Sequence, residues 1–192
     1  MKHQIQEAIY WFEEDIPQSA FTAANENLFV IEHDSLELSD EKSDKFHSVV
    51  AKLLYISKRE RPDIKPTVAF LCTRVSQTTE NDWKKLHRAL TYLKGTIDDK
   101  RIRGASRLNS LVTWVDAAYT VYENMRSQTG GAMSFGLGLV HDRSSKQNLN
   151  TKSSTEAEGT GVSEYGPYDI WMVNFRNKQG YKVSGNVFNA GQ

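Results

Sequence analysis

Leu111-Val112-Thr113-Trp114-Val115-Asp116-Ala117-Ala118-Tyr119 is the stretch on which the fold turns. Its β-branched and aromatic residues favour a pleated, half-buried strand. The strand closes on one carboxylate, Asp116, followed by two alanines that leave room beside it. A carboxylate in that place serves packing badly and a metal or a proton well; equally, it closes a strand at the surface before a turn. A second piece bears on the choice, Ser153-Ser154-Thr155-Glu156-Ala157-Glu158. Ser153 followed three residues later by Glu156 is a capping box at a helix start. That gives Glu156 a structural task and leaves Glu158 to point elsewhere.

Between these two pieces, Tyr122 to Thr129 is polar and turn-like, Gly130 to Phe135 reads as a second strand, and Gly138 to His141 begins a third. Spacings this short indicate antiparallel hairpins. Lys146 to Asn150 reads as the approach to the helix at Ser153. A further helix is expected from about Pro167 to Lys178, anchored by Ile170, Trp171 and Phe175 and stopped at Gly180. The stretches Tyr181–Val183 and Asn186–Phe188 suggest the start of another strand. Hairpins followed by helices and a returning strand make an α+β fold with a mixed sheet.

Upstream the pattern is helical. Ile5, Ala8, Ile9 and Phe12 share a face before Pro17. Leu28 to Ile31 is a candidate short strand, and Glu32 to Asp44 reads as an acidic, solvated linker. Residues 45–57 carry Phe46, Val49, Val50, Leu53 and Ile56 at helical spacing, with Ser43 or Asp44 as the cap. A second helix follows Pro66, burying Val68, Leu71, Cys72 and Val75. A third begins at a capping box of Thr79 and Asp82. It runs along Trp83, Leu86, Leu90 and Leu93 and ends near Gly95. Lys84, Lys85, Arg88 and Lys94 line its other side, either as a solvated face or as one that contacts phosphates. Cys72 is the only cysteine. It excludes an internal disulfide framework, and its place on an apolar face argues for packing rather than nucleophilic chemistry.

The chain carries 24 basic and 24 acidic residues, but they are unevenly spread. Residues 1–44 hold two basic and eleven acidic side chains, residues 45–107 hold fifteen and six, and residues 108–192 hold seven of each. The middle third is the part fitted to a phosphate backbone. No apolar run approaches the ~18 residues of a membrane span, and the first residues lack the apolar core of a signal peptide. The expectation is an intracellular protein, cytoplasmic or nuclear, with no membrane partner.

Four further stretches carry a resemblance: Trp114 to Tyr119, Met125-Arg126-Ser127-Gln128-Thr129-Gly130-Gly131, Ser144-Ser145-Lys146-Gln147, and Lys152 to Glu158. In that order they resemble the ribonuclease H region of copia-type (Ty1/copia) retrotransposon Pol polyproteins. Phe46 to Gly95 is similar to the segment that joins reverse transcriptase to that region. The resemblance implies three parts. Residues 1–44 form an acidic segment from the end of the reverse transcriptase, 45–107 a basic helical connection, and 108–192 a C-terminally truncated ribonuclease H-like domain. It implies two-metal hydrolysis of the RNA strand in an RNA–DNA hybrid, with Mg²⁺ or Mn²⁺ held by Asp116 and Glu158. The nucleic acid would lie against Lys84, Lys85, Arg88, Arg126 and Lys152, and the remaining Pol domains would be partners.

The sequence departs from this family in one decisive place. The third carboxylate is expected on the strand after the next helix, where this chain reads Val187-Phe188-Asn189-Ala190-Gly191-Gln192. Neither Glu164 nor Asp169 fits that position. The aromatic-x-Asp-Asp pattern of the polymerase site is also absent. Three readings follow: a piece of a ribonuclease H-bearing polyprotein, a non-catalytic remnant that binds nucleic acid, or an unrelated small α+β interaction domain.

Overall fold

A computed structural model describes residues 2–17, 19–183 and 185–190, with 185–188 and 190 as backbone alone. The chain forms two compact units, Met1–Lys100 and Arg101–Gln192.

The first unit is helical. Helix α1 (Lys2–Phe12) buries Ile5, Ala8 and Phe12. Helix α2 (Asp40–Arg59) buries Phe46, Val49, Val50, Leu53 and Ile56. A single 3-10 turn, Pro62–Ile64, leads into α3 (Lys65–Cys72). Helix α4 (Glu80–Gly95) starts at the expected capping box of Thr79 and Asp82 and buries Trp83, Leu86, Leu90 and Leu93. Each helix is amphipathic, so none is stable until its apolar stripe is covered. The Phe12 ring stacks on Trp83 with centroids 4.4 Å apart, closing α1 onto α4.

Two expectations for this unit need correction. Helix α2 begins at Asp40, not after Asp44. Ser39 accepts a hydrogen bond from the Lys42 amide, and Asp40 and Glu41 sit at the positive end of the helix dipole. The end of the acidic stretch is thus a helical turn rather than a linker. Leu28 to Ile31 forms no strand; the Leu28 amide donates to the Asn25 carbonyl and the Val30 amide to Asn27, which is turn geometry.

The acidic and basic stretches fold onto each other in this unit. Lys52 pairs with Glu7 at 2.7 Å, Lys45 with Glu13 at 2.5 Å, and Lys42 with Glu80 at 3.0 Å and Glu14 at 3.9 Å. Lys2 pairs with Asp98. Residues 1–100 therefore carry fourteen basic against seventeen acidic side chains, and residues 101–192 ten against seven. Two cations of the middle third, Lys45 and Lys52, are held by N-terminal acids, and two N-terminal lysines, Lys2 and Lys42, by acids of the middle third.

The second unit is a sheet covered by one helix. Its strands are β1 (Gly104–Ala105), β2 (Ser110–Ala118), β3 (Arg126–Ser134), β4 (Gly136–Leu137), β5 (Leu139–Asn150) and β6 (Gly185–Ala190), with helix α5 (Ser154–Lys178) between the last two. The main sheet has the order β5-β3-β2-β6, and β1 and β4 form a separate ribbon. Strand β3 lies antiparallel to both β2 and β5, whereas β6 lies parallel to β2. A parallel pair needs a long crossover, and α5 supplies it. Leu111, Val115, Met133, Phe135 and Tyr165 form the core between sheet and helix.

This is the expected α+β class with a mixed sheet. Three boundaries differ from the sequence reading. Strand β3 starts at Arg126, within the stretch read as a turn. Strand β5 runs to Asn150, so Lys146 to Asn150 is strand rather than a lead-in; its hydrogen bonds to β3 replace the apolar alternation that it lacks. The two expected helices are one helix, with Pro167 inside it. Proline clashes with the Cβ of the residue before it in helical geometry, and that residue is Gly166, which has none. Helix α5 ends as expected at Gly180, whose φ is +86°. The Gly180 amide donates to Asn177 and the Tyr181 amide to Arg176, the paired bonds of a Schellman cap.

Candidate functional site

The register of α5 on the sheet places the candidate residues. A Cβ on Gly161 would lie 3.5 Å from Val115 on β2 and 3.4 Å from Thr129 on β3. One turn on, the Tyr165 ring lies against Gly131. Another turn on, the buried Asp169 accepts a hydrogen bond from the Thr113 hydroxyl. The helix therefore runs antiparallel to β2. Glu158, one turn before Gly161, lies toward the C-terminal end of β2, the end that carries Asp116.

Buried Gln147 fixes that first stretch of helix. Its amide nitrogen donates to the Ala157 carbonyl at 2.8 Å and to the Thr129 hydroxyl at 3.0 Å. Ser153 caps the helix by accepting from the Glu156 amide. Glu156 reaches back to the Lys152 amide at 2.7 Å, so it has the structural task expected of it. Glu158 is half-buried and forms no ion pair among the described residues.

Asp116 is exposed on the face of β2 opposite to Val115, since Leu111, Thr113 and Val115 are buried while Trp114 and Asp116 are not. One of its carboxylate oxygens accepts from the Ala117 amide at 2.9 Å. Its cross-strand partner is Gly130, which leaves the space beside the carboxylate clear.

The same end of the sheet gathers positive charge. Arg126 opens β3 and pairs with Asn150 at the end of β5; Lys152 follows two residues later and is exposed. Lys146, opposite Gln128, lies over the Tyr122 ring at 4.2 Å. Burial pushes the Lys146 ammonium below its ordinary value, and the nearby Arg126 adds to that. Tyr122 donates to Gln128 at 2.7 Å, and Gln128 donates to Ser144 at 2.7 Å. Burial pushes the Tyr122 hydroxyl up to about 12. Lys146, Tyr122, Gln128 and Ser144 were not marked as site residues by the sequence. The signal for them is the length of β5, which brings Ser144 and Lys146 opposite β3.

Lys84, Lys85 and Arg88 belong to the first unit, on α4. Lys84 is exposed. Lys85 and Arg88 turn inward to hold the segment that precedes α2: Lys85 donates to the Val30 carbonyl and Arg88 to the Thr22 hydroxyl. Lys94 likewise donates to the Ile16 carbonyl. Much of this basic face thus satisfies irregular backbone.

Asp116 and Glu158 offer the hard oxygen donors that Mg²⁺ or Mn²⁺ takes. Among the described residues no group of three His, Cys, Asp or Glu gathers to hold a metal ion. On β6, Asn189 stands opposite Trp114 and Ala190 opposite Val115. Gly191 and Gln192, part of the stretch where the third carboxylate was expected, lie outside the described residues. Two carboxylates, one of them exposed, do not make the cage of a two-metal hydrolase.

No family model matches the chain, and no solved structure matches it. Curated relatives do. A retrovirus-related Pol polyprotein from transposon TNT 1-94 of Nicotiana tabacum is 29% identical over 136 residues, 70% of this chain and 10% of the relative. An uncharacterized mitochondrial protein of Arabidopsis thaliana is 33% identical over 143 residues, 73% of this chain and 59% of the relative. A retrovirus-related Pol polyprotein from transposon RE2 of Arabidopsis thaliana is 27% identical over 153 residues, 79% of this chain and 10% of the relative. The aligned part is about a tenth of each polyprotein and under two thirds of the mitochondrial protein. By these similarities the chain is a homologue of the Pol polyproteins of copia-type retrotransposons.

Proposed function

We propose that this Pol segment is a nucleic-acid-binding piece whose second unit is a ribonuclease H-like domain with an incomplete hydrolytic site. The observation that carries the reading is that Asp116, Arg126 and Lys152 share one end of the β5-β3-β2-β6 sheet with the start of α5 and its Glu158, Asp116 on the face of β2 turned away from α5. Cations beside carboxylates at a strand end suit a phosphodiester backbone drawn across a metal-binding edge. The substrate class is an RNA–DNA hybrid. Asp116 and Glu158 would furnish oxygen ligands to Mg²⁺ or Mn²⁺, which in a complete site activates water at the phosphate; among the described residues no third carboxylate gathers with them, and on this reading the segment binds without cutting. Other domains of the polyprotein are its natural partners. Lys84, Lys85 and Arg88 form a second, smaller patch of phosphate contacts on α4.

Fluorescence anisotropy with a labelled RNA–DNA hybrid tests the binding half. Affinity is expected to fall steeply between 50 and 200 mM salt, as counterion release requires. The double variant Arg126→Glu, Lys152→Glu is expected to bind at least tenfold more weakly. Binding that ignores both salt and the variant would refute the interface. The catalytic half is tested by incubating a labelled hybrid with Mg²⁺ or Mn²⁺. No cleavage is expected; cleavage that Asp116→Asn abolishes would mean that the ligand set is complete.

A further inference from the structure

The first unit contains a cavity of about 260 Å³ between α4 and the irregular segment around Ala23 to Glu32. Lys84, Lys85 and Arg88 line it from α4, Asn81 and Thr67 add polar donors, and Glu32 lies at its edge. Three features bear on these cations. Lys42, Lys45 and Lys52 each pair with a carboxylate; Lys84, Lys85 and Arg88 form no ion pair with any described residue. The three sit at positions i, i+1 and i+4 of one helix, so Lys84 and Arg88 repel each other across a turn. The Nε–H of Arg88 is buried without a hydrogen-bond partner, although its Nη2 is held by Thr22. A buried donor left unmade is costly, and among the described residues of the first unit this is the one buried side-chain polar atom so left. The guanidinium is held at one corner by Thr22 and lines the cavity; a guanidinium fork is the group by which arginine takes a tetrahedral oxyanion.

We propose that this cavity binds a phosphate group, as the dianion of a phosphomonoester, seated on Arg88 and Lys84 with Lys85 behind it. Charge supports a dianion over a monoanion, since three cations line the cavity against one lining carboxylate, Glu32, with Asp82 also acting on Lys85. Size supports a phosphate carrying little more than one sugar, because larger ligands need pockets of roughly 300 Å³ and above. Burial also pushes the Lys85 ammonium below its ordinary value, which an incoming anion would relieve. The phosphate belongs either to a free nucleotide or to the end of a nucleic acid strand. The inference deepens the nucleic-acid reading of α4 and rests on it for the identity of the ligand.

The test is calorimetric titration of the full chain with inorganic phosphate, with a nucleoside 5′-monophosphate, and with a short single strand bearing or lacking a 5′-phosphate; acetate serves as the monoanion control. Saturable one-site binding of phosphate and of the nucleotide is expected, with none for acetate. Preference for the phosphorylated over the unphosphorylated strand assigns the pocket to strand ends; equal affinity for these two strands, with tight nucleotide binding, assigns it to free nucleotides. Arg88→Gln and Lys84→Gln are each expected to weaken binding at least fivefold, and Glu32→Gln to strengthen it. Lys84 is exposed, so its variant keeps the proposal testable if Arg88→Gln fails to fold. No saturable binding by any phosphate probe, or binding indifferent to Lys84→Gln and Glu32→Gln, overturns the pocket. Hybrid binding through Arg126 and Lys152 would survive that outcome. Phosphate binding without any hybrid binding would sink the nucleic-acid reading and leave the pocket standing.

Discussion

A methyl group at position 131 would lie 2.2 Å from the ring of Tyr165, a fully buried side chain that anchors α5 to the sheet. Gly131→Ala is therefore expected to cost about 1–3 kcal/mol, the usual penalty for overpacking, in chemical denaturation followed by near-UV circular dichroism. Gly159 on the exposed side of the same helix has nothing within 4 Å of the corresponding position. Gly159→Ala should stabilise by up to about 1 kcal/mol through helix propensity alone. The contrast separates contact from propensity within one element. Tyr122 gives a residue-level pH dependence. Its folded hydroxyl titrates near 12, above the ordinary value of 10, because burial disfavours the phenolate. The stabilising contribution is complete below pH 10 and disappears as pH rises from 10 to about 12, where only the unfolded chain releases its proton readily. Stability of the second unit should decline over that window, and Tyr122→Phe should decline less. Asp116 was legible in the sequence as the acid at a strand end. Its orientation was not, because β2 alternates faces and the composition of the stretch alone does not say which face is covered.

Helix α5 concentrates what the sequence revealed and what it hid. Ser153, Glu156 and Gly180 mark the ends of the helix through local backbone chemistry, and local chemistry is readable from neighbours in the chain. Pro167 misled because proline breaks helices through its missing N–H, its clash with the carbonyl four residues back and its clash with the preceding residue, and Gly166 removes only the Cβ part of the last. The missing N–H remains, so Pro167→Ala should raise the thermal midpoint of the second unit, with a gain of up to about 3 kcal/mol. A fall in the midpoint would mean that the ring's apolar contacts beside Tyr168 and Trp171 outweigh the lost backbone bond. The length of strand β5, whose start was legible at Gly138 to His141, was hidden for the opposite reason. Its residues Ser144 to Asn150 carry no strand pattern, and only β3, lying beside it, makes them a strand. Helix α4 was read correctly along its apolar side. Its basic side was read as surface, yet Lys85, Arg88 and Lys94 serve carbonyls and a hydroxyl contributed by residues 16–30, more than fifty positions upstream.

At the scale of the whole chain, charge divides differently from sequence. A basic middle third becomes, once folded, part of a unit with a slight acidic excess, while the second unit is the one with a basic excess. A boundary drawn where the charge changes would sever Lys42, Lys45 and Lys52 from their partner carboxylates. A fragment beginning at residue 45 is thus expected to be much less stable than residues 1–100, by comparison of their denaturant midpoints. The parallel pairing of β2 with β6 has its own consequence, which is kinetic. Residues 110–115 meet residues 185–190, a separation of some seventy-five positions, and closing so long a loop is among the slower events available to a small domain. During synthesis the hairpin of β2 and β3 leaves the ribosome first and waits, with one side of β2 open, until the last strand arrives to occupy it.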